Sequence, residues 1–226
     1  MAAHCLLYYI TDRTQFRGDE MTRRHSLLAK VAEAVNAGID YIQLREKDLN
    51  ARELEALAGE ALTALRNAAP LRTENRELRT RLLINSRADV ALATGADGIH
   101  LRAGDVSARD VRQLLEVAHR PLNTEPFLIA ASCHNAAEVR RAESEKVDFA
   151  VFAPVFEKKD APPQTQSAGL AALHEACQAG IPVFALGGVT LANAASCLKA
   201  GAAGVAGIRL FQENKMEDVV GAMWPL

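Results

Sequence analysis

Short, wholly apolar runs alternate with stretches of helical period from one end of this chain to the other, and few folds accept that rhythm. The apolar runs are CLLYYIT, YIQLRE, RLLIN, GIHL, FLIAAS, FAVFAPVF, PVFALGG and GVAGIRLF. Between them lie amphipathic segments such as SLLAKVAEAVNAG, ARELEALAGEALTALRNAA, SARDVRQLLEVAH and AGLAALHEACQAG. Strands that are apolar on both faces and separated by helices build parallel β-α units. About eight such units in 226 residues predict one (β/α)8 barrel, a TIM barrel, over residues 1–226. The rival is a doubly wound open sheet, but no G-x-G-x-x-G motif follows the first strand.

An internal repeat supports the barrel. AGIDYIQL, TGADGIHL, EKVDFAVF, AGIPVFAL and AGAAGVAG share one grammar of helix end, short turn and buried strand. Gly38, Gly95, Gly180 and Gly201 fall where a left-handed residue would end each helix. One segment breaks the rhythm. PLRTENRELRTR, Pro70 to Arg81, is charged and reads as a solvated extension below the barrel, before the third strand.

Charge and composition exclude several classes of partner. A net charge of −2 gives neither the basic patch of a nucleic-acid binder nor an acidic tail. No apolar run approaches a membrane span, and the N-terminal MAAHCLLYYITD is too short for a secretory signal. Cys5, Cys133, Cys177 and Cys197 are scattered through apolar stretches with no C-x-x-C pair, which predicts buried free thiols in a reducing, cytoplasmic setting. Composition leaves the oligomeric state open, and the small phosphorylated partners expected of this chain follow only from its strand-end residues and its family resemblance.

In such a barrel the chemistry sits at the C-terminal ends of the strands. The second strand ends in Gln43, Arg45 and Lys47, and alternation predicts that these three share one side. A guanidinium beside an ammonium suits a phosphate or pyrophosphate, although Glu46 or Asp48 could pair with it instead. The third strand offers Asn85 and Ser86; the fourth, His100 and Asp105, with Ser107 as a helix N-cap; the fifth, Ser132 and His134; the sixth, Lys158 and Lys159. Gly187 and Gly188 after the seventh strand, and GVAGIR on the eighth, allow backbone N–H groups to approach an anion. His134 follows a strand end directly and is the best acid/base candidate among the six histidines; His100 is equally readable as a satisfied core residue.

These motifs, in this order, resemble the thiamine phosphate synthases and their thiazole tautomerase relatives across nearly the whole chain. The resemblance rests on YYITD, YIQLREKD, LLINSRADVALATGADGIHLRAGD, ASCHNAAEVRRA, APVF and VFALGGVTLANAASCLKAGAAGVAGI. It implies a barrel that joins hydroxymethylpyrimidine diphosphate to a thiazole phosphate and releases pyrophosphate. It also implies roles: Gln43 on the pyrimidine, Arg45, Lys47 and Asn85 on the pyrophosphate, and Asp105 on Mg²⁺. Gly187, Gly188, Gly207 and Ile208 would hold the thiazole phosphate, with Ser132, His134 and Lys159 as catalytic candidates.

Two departures from the family pattern fall on the pyrophosphate half. The third strand ends Asn85-Ser86 where the family has Asn-Asp, and a hydroxyl is a weaker ligand for a hard cation than a carboxylate. The loop PVFEKKDAPPQTQSAGL lacks the family's threonines. Three activities therefore remain in view: a synthase, a thiazole tautomerase that needs no metal, and a non-catalytic thiazole-phosphate binder.

Overall fold

The computed structural model describes residues 5–67, 71–73, 76–117, 126–157 and 167–224. Its core is a closed ring of eight parallel strands. In chain order these are β1 (Leu6–Ile10), β2 (Tyr41–Leu44), β5 (Arg81–Asn85), β6 (Gly98–Leu101), β7 (Leu128–Cys133), β8 (Phe149–Phe152), β9 (Val183–Ala185) and β10 (Gly204–Gly207), with β10 closing on β1. Between the strands lie α1 (Glu20–Asn36), α2 (Ala51–Asn67), α3 (Ala88–Thr94), α4 (Ala108–Val117), α5 (Ala136–Ser144), α6 (Gly169–Ala176) and α7 (Ala194–Lys199), and after β10 come α8 (Arg209–Gln212) and α9 (Met216–Met223). The expected (β/α)8 barrel is the fold.

The strands read as apolar on both faces because both faces are buried, by different partners. Outward residues such as Leu7, Ile42, Ile84 and Ile129 pack in the layer between sheet and helices. Inward residues form a second cluster of Tyr8, Leu83, Phe149, Val151, Phe184 and Ala206. Four rings in that cluster, Tyr8, Tyr41, Phe149 and Phe184, contact one another at centroid distances of 5.0–5.9 Å. Tyr41 and Phe149 open their strands, so this aromatic plug fills the N-terminal half of the barrel and leaves the strand C-termini as the open end.

The repeat in the sequence carries a device that its glycines do not reveal. Asp40, Asp97 and Asp148 each precede an even-numbered barrel strand. Each accepts a hydrogen bond from the backbone N–H of the preceding strand: Leu7 at 2.9 Å, Leu82 at 2.8 Å and Ile129 at 2.6 Å. A carboxylate that satisfies a neighbour's N–H pins the register of the two strands from below.

Two expectations need correction. Residues 70–81 are more than a solvated extension, because β3 (Leu71–Thr73) and β4 (Arg76–Leu78) pair antiparallel within them. Gly38, Gly95 and Gly201 do adopt positive φ, but Gly180 does not. The preceding helix already ends at Ala176, and Gly180 instead donates its N–H to Glu143 at 3.0 Å.

Candidate active site

Just above the aromatic plug, polar side chains line the ends of the strands. His100 is buried at the end of β6, with Nδ1 3.2 Å from the Tyr8 hydroxyl and Nε2 2.8 Å from Ser132 Oγ on β7. Burial, reinforced by the nearby Arg45 charge, pushes its pKa down to about 3, so the ring is neutral. His100 is thus a satisfied core histidine that also touches a candidate residue. Gln43 is only 2% exposed, and its side-chain amide, not wholly sealed from solvent, makes no hydrogen bond to another described residue. A buried amide without a partner is costly unless something else completes it.

Arg45 stands two positions further along the chain and is equally uncommitted. Its backbone N–H donates to Thr11 Oγ1 at 3.0 Å, but its half-buried guanidinium has no ion-pair partner among the described residues. The adjacent acids are occupied by a residue distant in sequence. Arg13, buried at the end of β1, makes a two-pronged contact to Asp48 at 2.7 and 2.9 Å and reaches Glu46 at 3.2 Å. Glu46 points inward, where it also accepts from Thr11 Oγ1 at 2.6 Å and the Arg13 N–H at 2.9 Å. Burial raises its pKa in spite of those bonds. The ion pair that would have made Arg45 a mere rim charge is therefore absent, and burial lowers the pKa of the unpaired guanidinium.

Lys47 does not follow the alternation expected of it. Strand β2 stops at Leu44, and Lys47 is exposed in the turn beyond, one residue past the inward-facing Glu46.

The expected metal position holds an arginine. Ser86, held at φ +61°, accepts from Asn85 Nδ2 at 3.1 Å and from Arg102 Nε at 2.6 Å. A hydroxyl has one donor and two lone pairs, so Ser86 has nothing left for a cation. Asp105 accepts from the Arg102 N–H at 2.7 Å and from its guanidinium at 3.3 Å. Arg102 was not singled out from the sequence. Its one signal was a charge directly after a strand, three residues before an acid. Among the described residues no group of three metal-ligating side chains occurs. Ser86 and Asp105 as they stand do not fit a Mg²⁺ ion, because Arg102 occupies a lone pair of the one and pairs with the carboxylate of the other, while Asn85 contributes only its Nδ2 donor to Ser86.

On the far side of the mouth, Gly187 and Gly188 have φ of +94° and +64°. A Cβ on Gly188 would lie 2.7 Å from Phe156 Cβ and from the Glu157 carbonyl oxygen. Close packing therefore demands glycine there, whatever the ligand. The N–H groups of Gly187 and Gly188 find no acceptor among the described residues, and beside them Gly207 ends β10 and Ile208 begins the turn into α8. His134 is exposed after β7 and is tethered through Nδ1 to the Ala153 carbonyl at 2.8 Å. A carbonyl only accepts, so Nδ1 carries the proton and Nε2 is left as the basic nitrogen. Ser107 caps α4 as expected, accepting the Asp110 N–H at 3.1 Å. Lys158 and Lys159 lie outside the described residues.

A closed parallel barrel with its uncommitted polar groups gathered at the strand C-termini is a (β/α)8-barrel enzyme. Which enzymes it is related to follows from comparison. The family model described as thiamine monophosphate synthase matches residues 7–211. The chain is 35% identical over 208 residues to a putative thiamine-phosphate synthase 2 of Aquifex aeolicus, covering 92% of this chain and 97% of that one. It is 38% identical over 204 residues to the thiamine-phosphate synthase of Methanoculleus marisnigri, covering 88% and 84%. The solved thiamine phosphate pyrophosphorylase of Pyrococcus furiosus superposes with a TM-score of 0.74 at 25% identity over 96% of this chain and 93% of that one. This chain belongs to the thiamine monophosphate synthase family.

Proposed function

We propose that the protein is a thiamine phosphate synthase that joins hydroxymethylpyrimidine diphosphate to a thiazole phosphate. Gln43 and Arg45 carry this reading. Two positions apart, at and just beyond the end of β2, they present a nearly buried amide and a half-buried guanidinium that no described residue completes. An amide offers a donor and an acceptor side by side, the complement of an aminopyrimidine edge. A guanidinium fork is the complement of a phosphate.

The reaction forms one bond and breaks one. The thiazole ring nitrogen attacks the methylene of the pyrimidine, and the C–O bond to the diphosphate breaks with its electron pair leaving on oxygen. No proton moves; the thiazole nitrogen ends as a cation and pyrophosphate gains one negative charge. Arg45 and Arg102 sit near enough for each charge to weigh on the other, which raises the value of an anion arriving between them. Ser132, fixed by His100, supplies a hydroxyl at the same level. The N–H groups of Gly187 and Gly188, with Gly207 and Ile208 beside them, are the proposed seat of the thiazole phosphate.

A tautomerase would have no use for the Gln43 and Arg45 pair, and the relatives matched are named as synthases. The thiols fit the cytoplasmic setting proposed for it: Cys5, Cys133 and Cys197 are buried, and burial raises the pKa of all four cysteines. No helix among the described residues is long and apolar enough to cross a membrane. The test is to incubate both substrates with the protein and measure thiamine phosphate and pyrophosphate. Equal amounts of the two support the reading, and substrate binding without either product sinks it.

A further inference from the structure

Arg102 is anchored through both its backbone and its side chain. The turn from Arg102 to Asp105 closes in both directions, Arg102 N–H to the Asp105 carboxylate at 2.7 Å and Asp105 N–H to the Arg102 carbonyl at 3.1 Å. Its side chain is then held at two points, Nε on Ser86 at 2.6 Å and Nη2 on Asp105 at 3.3 Å. A guanidinium carries five N–H donors. Ser86 and Asp105 take one each, and Nη1 has no partner among the described residues. The side chain is 51% exposed, open enough for a ligand to meet its free edge.

The chemistry of Ser86 decides what can share this position. With both lone pairs accepting, from Asn85 and Arg102, it cannot also bind a cation. A divalent ion would have to expel a guanidinium that is already paired with the one carboxylate present. Arg102 also lies close enough to Arg45 and His100 for its charge to act on both. Two guanidinium groups with uncommitted N–H donors therefore lie near one another, Arg102 ion-paired with Asp105 and Arg45 within the field of Asp12 and Glu46 but in no ion pair among the described residues.

We propose that the Arg102 guanidinium, fixed by Ser86 and Asp105, neutralises the diphosphate of the substrate in place of a divalent cation. This rests on the synthase reading for the identity of the anion, while the anion site itself stands on the geometry. Ser86 and Asp105 act as positioning residues that aim Arg102, and the Ser86 hydroxyl is the right group for that task. A carboxylate at the same place would attract a metal ion; a hydroxyl seats the arginine without doing so.

The test separates the two claims. Binding of inorganic pyrophosphate is measured by calorimetry in EDTA and again with excess Mg²⁺, for wild type, Arg102→Gln and Arg102→Lys. The wild type is expected to bind in EDTA within about threefold of its affinity with Mg²⁺. Arg102→Gln should weaken binding in EDTA by at least about tenfold, the loss of one charge-assisted hydrogen bond. Arg102→Lys, which keeps the charge but not the fork, should fall between. Circular dichroism establishes that each variant is folded. A double variant, Ser86→Asp with Arg102→Gly, should bind pyrophosphate only when Mg²⁺ is present. Wild-type binding that requires Mg²⁺, or an Arg102→Gln variant that binds as well as wild type in EDTA, overturns the proposal. If these binding results hold while the wild type makes no thiamine phosphate, the synthase reading fails and the metal-free anion site stands.

Discussion

His100 Nε2 lies 2.8 Å from Ser132 Oγ, while the other nitrogen of the same ring lies 3.2 Å from the Tyr8 hydroxyl. The ring is neutral, so one nitrogen donates and the other accepts. Tyr8 is fully buried and its hydroxyl has no other partner among the described residues. If it accepted from His100, its own proton would be stranded in the core, at a cost of about 1–3 kcal/mol. Tyr8 therefore donates to Nδ1, Nε2–H donates to Ser132, and the Ser132 proton is left to point into the mouth. Tyr8→Phe removes the constraint that sets this tautomer. We expect kcat/KM for thiamine phosphate formation to fall roughly 2- to 12-fold, the worth of one neutral hydrogen bond.

The same histidine makes stability depend on pH. Its folded pKa of about 3 lies below the ordinary 6.5. The unfolded chain therefore takes up a proton that the folded protein refuses. The contribution to stability is complete above about pH 6.5 and is lost as the pH falls towards 3. Between pH 8 and pH 5 this amounts to about 2 kcal/mol. Urea titrations at the two pH values should show that loss in the wild type. His100→Gln, which does not titrate, should lose less over the same interval by about that amount.

Arg45 should trade stability for function. An unpaired, half-buried guanidinium costs desolvation and has no pair to break. Arg45→Leu should thus leave the melting temperature unchanged or raised. In the same variant, affinity for inorganic pyrophosphate should drop by roughly 10- to 150-fold, the range of a hydrogen bond to a charged group. A large fall in melting temperature would show instead that Arg45 has a structural partner.

Gly188 and Gly95 separate backbone strain from collision. Both have positive φ, +64° and +70°, but a Cβ on Gly95 meets nothing within 4 Å. Gly95→Ala should cost about 1–2 kcal/mol, the left-handed penalty alone. Gly188→Ala adds contact with Phe156 and the Glu157 carbonyl, so its cost by denaturant titration should exceed that of Gly95→Ala.

The aspartates below the barrel make a stability prediction remote from the mouth. Asp40→Ala strands the N–H of the fully buried Leu7, which should cost about 1–3 kcal/mol. Asp148→Ala removes the bond to Ile129 N–H as well as a 2.7 Å ion pair with Arg112. The double variant should show nearly additive losses in urea, since the two pins hold different pairs of strands.

The sequence by itself determined the barrel and the end of it that reacts. Hydrophobic period is a local property: a run such as RLLIN or FAVF is apolar on both faces whatever surrounds it, and helices between such runs force parallel strands. Gln43, Asn85, Ser132 and Gly188 were legible for the same reason, as polar or glycine positions where an apolar run stops. Only the tertiary structure decided which charges are free. Arg45 sits beside Glu46 and near Asp48 in the chain, yet Arg13, more than thirty residues away, takes both acids and leaves Arg45 open. Ser86 reads as a lost metal ligand until Arg102, sixteen residues on, is seen to fill it. Ion pairs and hydrogen bonds obey distance in space, and within a few ångströms the nearest donor is set by how strands and turns come together.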